Sequence, residues 1–345
     1  VVLIASGYNN VSPGDGVGRL FVLNANTGSL IRTISTGSGG TATPSGLARI
    51  TAWANFPDNN NTAQRVYGGD LLGNLWRFDI NNIIPAAEDP ATYDAQRLAV
   101  LKDASGNTQP ITGRPELALI KNYPVVFVGT GQLLGNADLS TTQTQSIYAI
   151  KDRMINSDYG SPRPQTPAQT TPTPGNFVAQ TMTSDADSNG VVDTCSAESV
   201  YCPEGRAIVS VTKNPVDWAT KDGWYVDFPV AGERVNTDIR LVSGTLAFTT
   251  NTPQSGACVP VGRSYSYFLD YKTGGYVEGT DGMAAFGYGD SFSSAPQLIR
   301  LQDGTIKEIT KKDCQGANCR EQSPVPVDPT PFSTRRISWR ELITD

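Results

Sequence analysis

The chain has 345 residues, with 27 Lys and Arg against 33 Asp and Glu, a formal charge of −6. That acidic balance, with no basic run, argues against a nucleic-acid surface, which needs clustered cations to displace counterions. Histidine is absent altogether, so imidazole triads, His-ligated zinc and His-ligated haem are excluded within these residues.

The length allows one large domain or two ordinary ones. With 34 Gly and 23 Pro, turn-making residues form about a sixth of the chain against a usual share of about an eighth, which predicts many short strands. The longest apolar runs, residues 1–5 and 124–128, fall far short of the roughly 20 residues that span a bilayer as a helix. The opening Val1-Val2-Leu3-Ile4-Ala5 reads as a strand already under way, and so as a piece of a longer or processed chain.

In chain order, a strand, glycine-loop, strand unit recurs. The first is Leu3-Ile4-Ala5-Ser6-Gly7, then residues 19–28 ending Asn24-Ala25-Asn26-Thr27-Gly28. The second pairs Arg65-Val66-Tyr67-Gly68-Gly69-Asp70 with Gly73-Asn74-Leu75-Trp76-Arg77-Phe78-Asp79, and the third pairs residues 125–131 with 145–152. The fourth keeps one arm, Gly223-Trp224-Tyr225-Val226-Asp227-Phe228, and the fifth runs over residues 241–249 and 264–275. The apolar residues before the closing polar position, Leu23, Phe78, Ile150, Val226 and Leu269, stand 55, 72, 76 and 43 apart. Propeller blades recur about every 40 to 50 residues as four antiparallel strands, so the series fits blades with insertions. Alternation of apolar and polar residues within each arm supports strands over helices. The expectation is an all-β single propeller domain over residues 1–345.

Residues 161–206 read as an insertion. It starts with the Pro/Thr stretch of residues 161–174, expected as an exposed loop. Asp185-Ala186-Asp187-Ser188-Asn189-Gly190-Val191-Val192-Asp193 follows, with oxygen side chains at positions 1, 3, 5 and 9, Gly at 6 and a backbone carbonyl at 7. This is the EF-hand ligand order for a hard cation. Position 12 is Ser196 rather than a bidentate Glu, and neither flank looks helical. The expected Ca²⁺ ligands are therefore Asp185, Asp187, Asn189, Val191 by its carbonyl, and Asp193, in a site that orders a loop. The bland alternative is a solvated acidic turn.

Cys195 with Cys202, and Cys314 with Cys319, stand close together in Gly-, Asn- or Pro-rich loops, which suits two local disulfides and an export route. Cys258 is left over. The stretch over residues 321–345 combines a Pro-rich segment with alternation at residues 335–343, read as a closing strand. Asp70, Asp79, Asp227 and Asp270 sit at turn or repeat-equivalent positions, where hydrogen bonds to amides explain them better than acid–base catalysis. Gly14-Asp15-Gly16-Val17-Gly18 lacks the helix and the Lys-Ser or Lys-Thr of a phosphate cradle. Trp53, Trp76, Trp218, Trp224 and Trp339 are dispersed through the repeats, as blade packing requires.

Several segments together resemble the C-terminal propeller of the PilY family of type IV pilus biogenesis and tip-adhesin proteins, also called PilC in some bacteria. They are Gly7-Tyr8-Asn9-Asn10, residues 69–79, Gly129-Thr130-Gly131 with Leu134-Gly135, Thr144-Gln145-Ser146-Ile147-Tyr148, Gly232-Glu233-Arg234-Val235, residues 269–275 and Ser338-Trp339-Arg340-Glu341. The resemblance implies a modified seven-bladed propeller, of which about five blades lie here, with calcium in an EF-hand-like loop at the residues named above. It further implies an exported protein at the pilus tip, cell surface or outer membrane of a Gram-negative-type bacterium. Its partners would be minor pilins and a host or surface receptor, without nucleic acid and without a membrane span. Calcium would be coupled to pilus extension, retraction, twitching and adhesion, with no enzymatic activity. Arg-Gly-Asp does not occur. Two alternatives stay open. One is a quinoprotein dehydrogenase propeller, which the ending of residues 24–28 resembles, although no adjacent Cys pair is present. The other is a non-adhesive scaffolding propeller.

Overall fold

The computed structural model describes residues 1–55, 60, 62–80, 95–155, 158–165, 167–170, 175–254, 261–312 and 320–327. Cys258, Cys314, Cys319, Trp339 and the closing strand expected at residues 335–343 lie outside the described residues. The strands are β1 (Val2–Ala5), β2 (Val17–Leu23), β3 (Leu30–Gly39), β4 (Ile50–Trp53), β5 (Arg65–Gly69), β6 (Asn74–Asp79), β7 (Ala95–Val100), β8 (Glu116–Ile120), β9 (Tyr123–Gly129), β10 (Ser146–Lys151), β11 (Phe177–Gln180), β12 (Met182–Thr183), β13 (Ile208–Val211), β14 (Gly223–Asp227), β15 (Arg240–Val242), β16 (Thr245–Gln254), β17 (Val261–Asp270), β18 (Met283–Gly289), β19 (Gln297–Arg300), β20 (Ile306–Lys311) and β21 (Arg320–Pro324). A single 3₁₀ turn, Asn136–Ser140, is the one helical element among the described residues.

Among the described residues the strands form five sheets, ordered β1-β2-β3, β4-β5-β6-β7, β11-β14-β10-β9-β8, β12-β13-β18-β17-β16-β15 and β19-β20-β21. The β11 strand runs parallel to β14, whereas β1-β2-β3, β4-β5-β6-β7 and β19-β20-β21 are antiparallel throughout. In β2 the pattern alternates, with Leu20 and Val22 buried and Arg19 and Phe21 half-buried. In β5, β6 and β10 every residue is buried, as short apolar runs at the centre of a sheet require.

The turns explain why Asp, Asn and Gly recur at fixed places. Asn24 accepts the amides of Asn26 and Thr27 at 2.9 and 3.1 Å, and Asp270 accepts those of Lys272 and Thr273 at 3.0 and 2.8 Å. Each turn then closes on a glycine at positive φ, Gly28 at 70° and Gly274 at 71°, a conformation that carries a steric cost for other residues. Asp70 takes the amides of Leu72 and Asn74 and the Trp76 indole N–H at 2.9, 2.9 and 2.8 Å. Burial pushes the Asp70 carboxyl up against the pull of these bonds. Trp53, Trp218 and Trp224 likewise spend their indole N–H groups on Asn55, the Lys272 carbonyl and the Tyr271 carbonyl.

Where the sequence reading takes residues 1–345 as one domain, the backbone clusters as two compact units, the first drawing on Val1–Val126 and Lys151–Gly175, the second on Phe127–Ile150 and Asn176–Phe332. Leu20, Ile34, Leu47, Val66, Trp76 and Phe78 form a core of the first. Phe268, Phe286, Val277, Ala247 and the sulfurs of Cys195 and Cys202 form a core of the second.

Three expectations are corrected. The arm at residues 223–228 does not start a sheet of its own: β14 pairs with β10 in the third repeat's sheet, Val226 opposite Ile147. Gly223 permits that approach, because at φ 143° a Cβ there would overlap the Ala149 carbonyl oxygen. The Pro/Thr stretch is not exposed throughout. Ser161 and Arg163 are buried, since Gln169 closes over Ser161 and the Tyr159 carbonyl while Arg163 reaches the Lys102 carbonyl. A sheet of its own, β19-β20-β21, stands in the stretch after residue 296, where no repeat was read.

Candidate functional site

The loop between β12 and β13 has a base fixed from both sides. Met182 and Thr183 pair with Val211 and Ser210. The Asp193 amide donates to the Ser184 carbonyl at 2.8 Å, and the Ile208 amide donates to the Asp193 carbonyl at 2.9 Å. The ladder continues as the Cys195 amide donates to the Arg206 carbonyl and the Gly205 amide to the Cys195 carbonyl, at 2.8 and 2.9 Å. The expected Cys195–Cys202 disulfide is present, with Cα atoms 6.0 Å apart. Both cysteines are buried in the apolar core, so the covalent link anchors the loop to packed structure.

Within the loop, the carboxylates turn onto amides. Asp185 accepts from the Asn189 and Gly190 amides at 3.0 and 2.8 Å. Asp187 accepts from the Asn189 amide and carboxamide at 3.2 and 2.8 Å. Asn189 accepts from the Val191 amide at 2.8 Å, and Asp193 reaches back to the Ala186 amide at 2.7 Å. Ser188 and Gly190 take the sharp bend at φ 58° and 82°. Asp185 and Asp193 therefore bracket the turn from its two ends, with Asp187 and Asn189 exposed between them. The donor set is oxygen only, which suits a hard cation such as Ca²⁺. Among the described residues, however, no three His, Cys, Asp or Glu side chains stand together so as to hold a metal ion. Each carboxylate has about four lone-pair sites, so an oxygen that accepts a loop amide keeps capacity for a cation.

Other buried polar centres lie in the two units. In the first, Arg77 and Asp152, both fully buried, pair at 2.8 Å, and the Tyr67 hydroxyl donates to Asp152 at 2.7 Å. In the second, Arg234 donates to the carbonyls of Gly232, Gln132, Asp138 and Thr141 at 2.8 to 2.9 Å, pinning residues 132–141. Burial pushes this guanidinium below its ordinary value, partly offset by the Asp138 charge. Glu233 accepts from Thr250 and Tyr267 at 2.6 and 2.8 Å while its other oxygen has no partner among the described residues. Burial pushes its carboxyl up to about 7. Glu308, taking the Ser266 hydroxyl at 2.5 Å, is pushed up to about 7 by the same cause. Sequence reasoning used Glu233 and Arg234 only as part of a resemblance; a charged pair flanked by Gly232 and Val235 carries no local sign of burial.

The profile of the PilY1 beta-propeller domain matches residues 1–194. The chain belongs to that family. It is 27% identical over 383 aligned residues to the type IV pilus biogenesis factor PilY1 of Pseudomonas aeruginosa strain PAO1, covering 99% of this chain and 31% of that protein. A PilY1 homologue of Xylella fastidiosa is 28% identical over 294 residues, 80% of this chain and 18% of that protein. The chain thus spans about a third or less of the length of the curated relatives it matches. The crystal structure of the Pseudomonas aeruginosa PilY1 C-terminal domain superposes with a TM-score of 0.64 at 23% identity, covering 94% of this chain and 69% of that one. That likeness establishes the fold. The ending at residues 24–28, which resembles a quinoprotein blade repeat, forms a turn closed on its own amides. Among the described residues no helix is long and apolar enough to cross a membrane.

Proposed function

We propose that this chain is the propeller segment of an exported type IV pilus biogenesis factor, acting at the pilus tip or cell surface with minor pilins, and that residues 185–193 take Ca²⁺. The observation that carries the pilus role is the alignment with PilY1 over 99% of the chain. The buried Cys195–Cys202 disulfide supports export, because such bonds persist in oxidising compartments. Regulation of extension, retraction and twitching, and adhesion to a host or surface receptor, belong to the same proposal. So does the absence of catalysis.

Asp185, Asp187, Asn189, the Val191 carbonyl and Asp193 would hold the ion, which would supply positive charge among three carboxylates that otherwise repel one another. The loop's contribution is pre-organisation: its base is set by the ladder and the disulfide, so binding has only the exposed turn to order. Calorimetric titration of Ca²⁺ into the chelator-treated chain, alongside an Asp185→Ala/Asp193→Ala variant, tests this. One-site binding lost in the variant, with slower proteolysis of the loop when Ca²⁺ is present, is expected. No binding by the native chain would leave an acidic turn. Restoration of twitching in a strain lacking its own factor, by the full-length protein carrying this segment, tests the pilus role separately.

A further inference from the structure

The six-stranded sheet is packed tightly along one row of side chains and opens at the next. Val209, Ala285, Tyr267 and Phe248 lie opposite one another across β13, β18, β17 and β16, and all are buried. One row on, Tyr265 stands opposite Gly287, whose amide donates to the Ala207 carbonyl at 2.8 Å. Directly opposed residues share a face, so Ala207 and Gly287 leave two adjacent positions with almost no side chain. A bulge between Ser264 and Tyr265 offsets the ladder at this point. The result is a cleft of about 300 Å³ floored by Ala207 and Gly287 and walled by Arg206, Arg263, Tyr265 and Asp290.

Each wall supplies something specific. Tyr265 is 9% exposed and lines the cleft, bringing a phenol hydroxyl to its wall. Arg263 meets Asp290 at 3.3 Å with both side chains more than half exposed, an ion pair of the kind that holds its partners weakly. Arg206 is held by Glu321 at 3.0 Å, and Lys312 also bridges Glu321. Arg206 is balanced by Glu321 and Arg263 by Asp290, so the cleft has no net charge to repay the desolvation of an anion or of a cation. A neutral polyhydroxylated ring meets neither penalty. Its hydroxyls can both donate to Asp290 and accept from Arg263 and Tyr265, while its C–H face lies against the Tyr265 ring and the small residues Ala207 and Gly287. The volume sits at the lower end of the range of about 300 to 1,000 Å³ for small-molecule sites, room for one sugar residue.

We propose that this cleft binds a neutral sugar residue, at a position separate from residues 185–193 and independent of the pilus reading. Saturation-transfer NMR on the whole 345-residue chain, with methyl glycosides of glucose, galactose, mannose and N-acetylglucosamine and with N-acetylneuraminic acid as the anionic arm, tests it. At least one neutral glycoside should show transfer. Gly287→Val should abolish it: the position has space for a Cβ at ordinary contact, 3.4 Å from Tyr265 and 3.7 Å from the Ala207 carbonyl, and a branched side chain would occupy the cleft. Arg263→Ala, at an exposed side chain, should weaken binding by about tenfold, one lost hydrogen bond to a charged group, and decides the matter if the first variant fails to fold. Transfer from no neutral glycoside, transfer from N-acetylneuraminic acid alone, or transfer unchanged in both variants would each overturn the assignment.

Discussion

Asp152 in the first unit and Glu233 in the second are both fully buried carboxyls that accept a tyrosine hydroxyl, Tyr67 at 2.7 Å and Tyr267 at 2.8 Å. They differ in the remaining partner. Asp152 has the Arg77 guanidinium at 2.8 Å, whereas Glu233 has the Thr250 hydroxyl and one oxygen without a partner. Tyr67 and Tyr267 are both pushed well above the ordinary phenol value, chiefly by burial and then by the carboxylate beside each. Two buried carboxyls are thus satisfied differently, one by an ion pair and one by neutral hydroxyls, and the second has no cation beside it to offset desolvation.

The largest effect should come from breaking the first arrangement. Arg77→Met leaves Asp152 buried without its cation and should destabilise the chain by about 3–5 kcal/mol, while Arg77→Met/Asp152→Leu should recover most of that loss. Urea unfolding of the two variants checks this, and equal destabilisation by both would mean that packing, not charge, is what Arg77 contributes.

The second arrangement predicts a pH dependence of defined sign. The Glu233 carboxyl titrates at about 7 in the fold against 4.5 as its ordinary value, so the folded state holds a proton that the unfolded state has released between those values. Stability should be full below about 4.5, fall as pH rises to about 7 and level off above, with a ceiling of about 3 kcal/mol for this group. Glu308 should act in the same direction. Glu233→Gln should remove its part of the slope and raise stability at pH 8; pH profiles that run parallel to wild type would refute the assignment.

A smaller effect separates the units covalently. All five cysteines fall at or after residue 195, and the described pair, Cys195 and Cys202, belongs to the second unit. Cys195→Ser/Cys202→Ser opens a link between residues 7 apart, worth about 2–3 kcal/mol by loop closure. The loss should appear in melting of the native chain on reduction as well, with faster proteolysis at residues 185–193.

Much of the fold was legible because it is written in local chemistry. The paired strands of the first, second and third repeats, the Asx turns at Asn24, Asp70 and Asp270 and the Cys195–Cys202 link each depend on residues a few positions apart. Their periods, turn-formers and loop spacing therefore stand in the sequence itself. The loop at residues 185–193 was likewise readable as an ordered oxygen donor series, though not the way its carboxylates turn onto amides.

What only the tertiary structure decided depends on partners distant in sequence. That Gly223 lets β14 join β10, that Glu233 lies beneath Thr250 and Tyr267, and that Ala207 and Gly287 fall side by side below Tyr265 are matters of register between strands tens of residues apart. Alternation along a strand names the face a side chain occupies but not the strand across from it, and desolvation acts only once that strand is in place. The sequence determined which residues could turn, pair and bridge; the sheet register determined which carboxyls lost their water and where a cleft was left open.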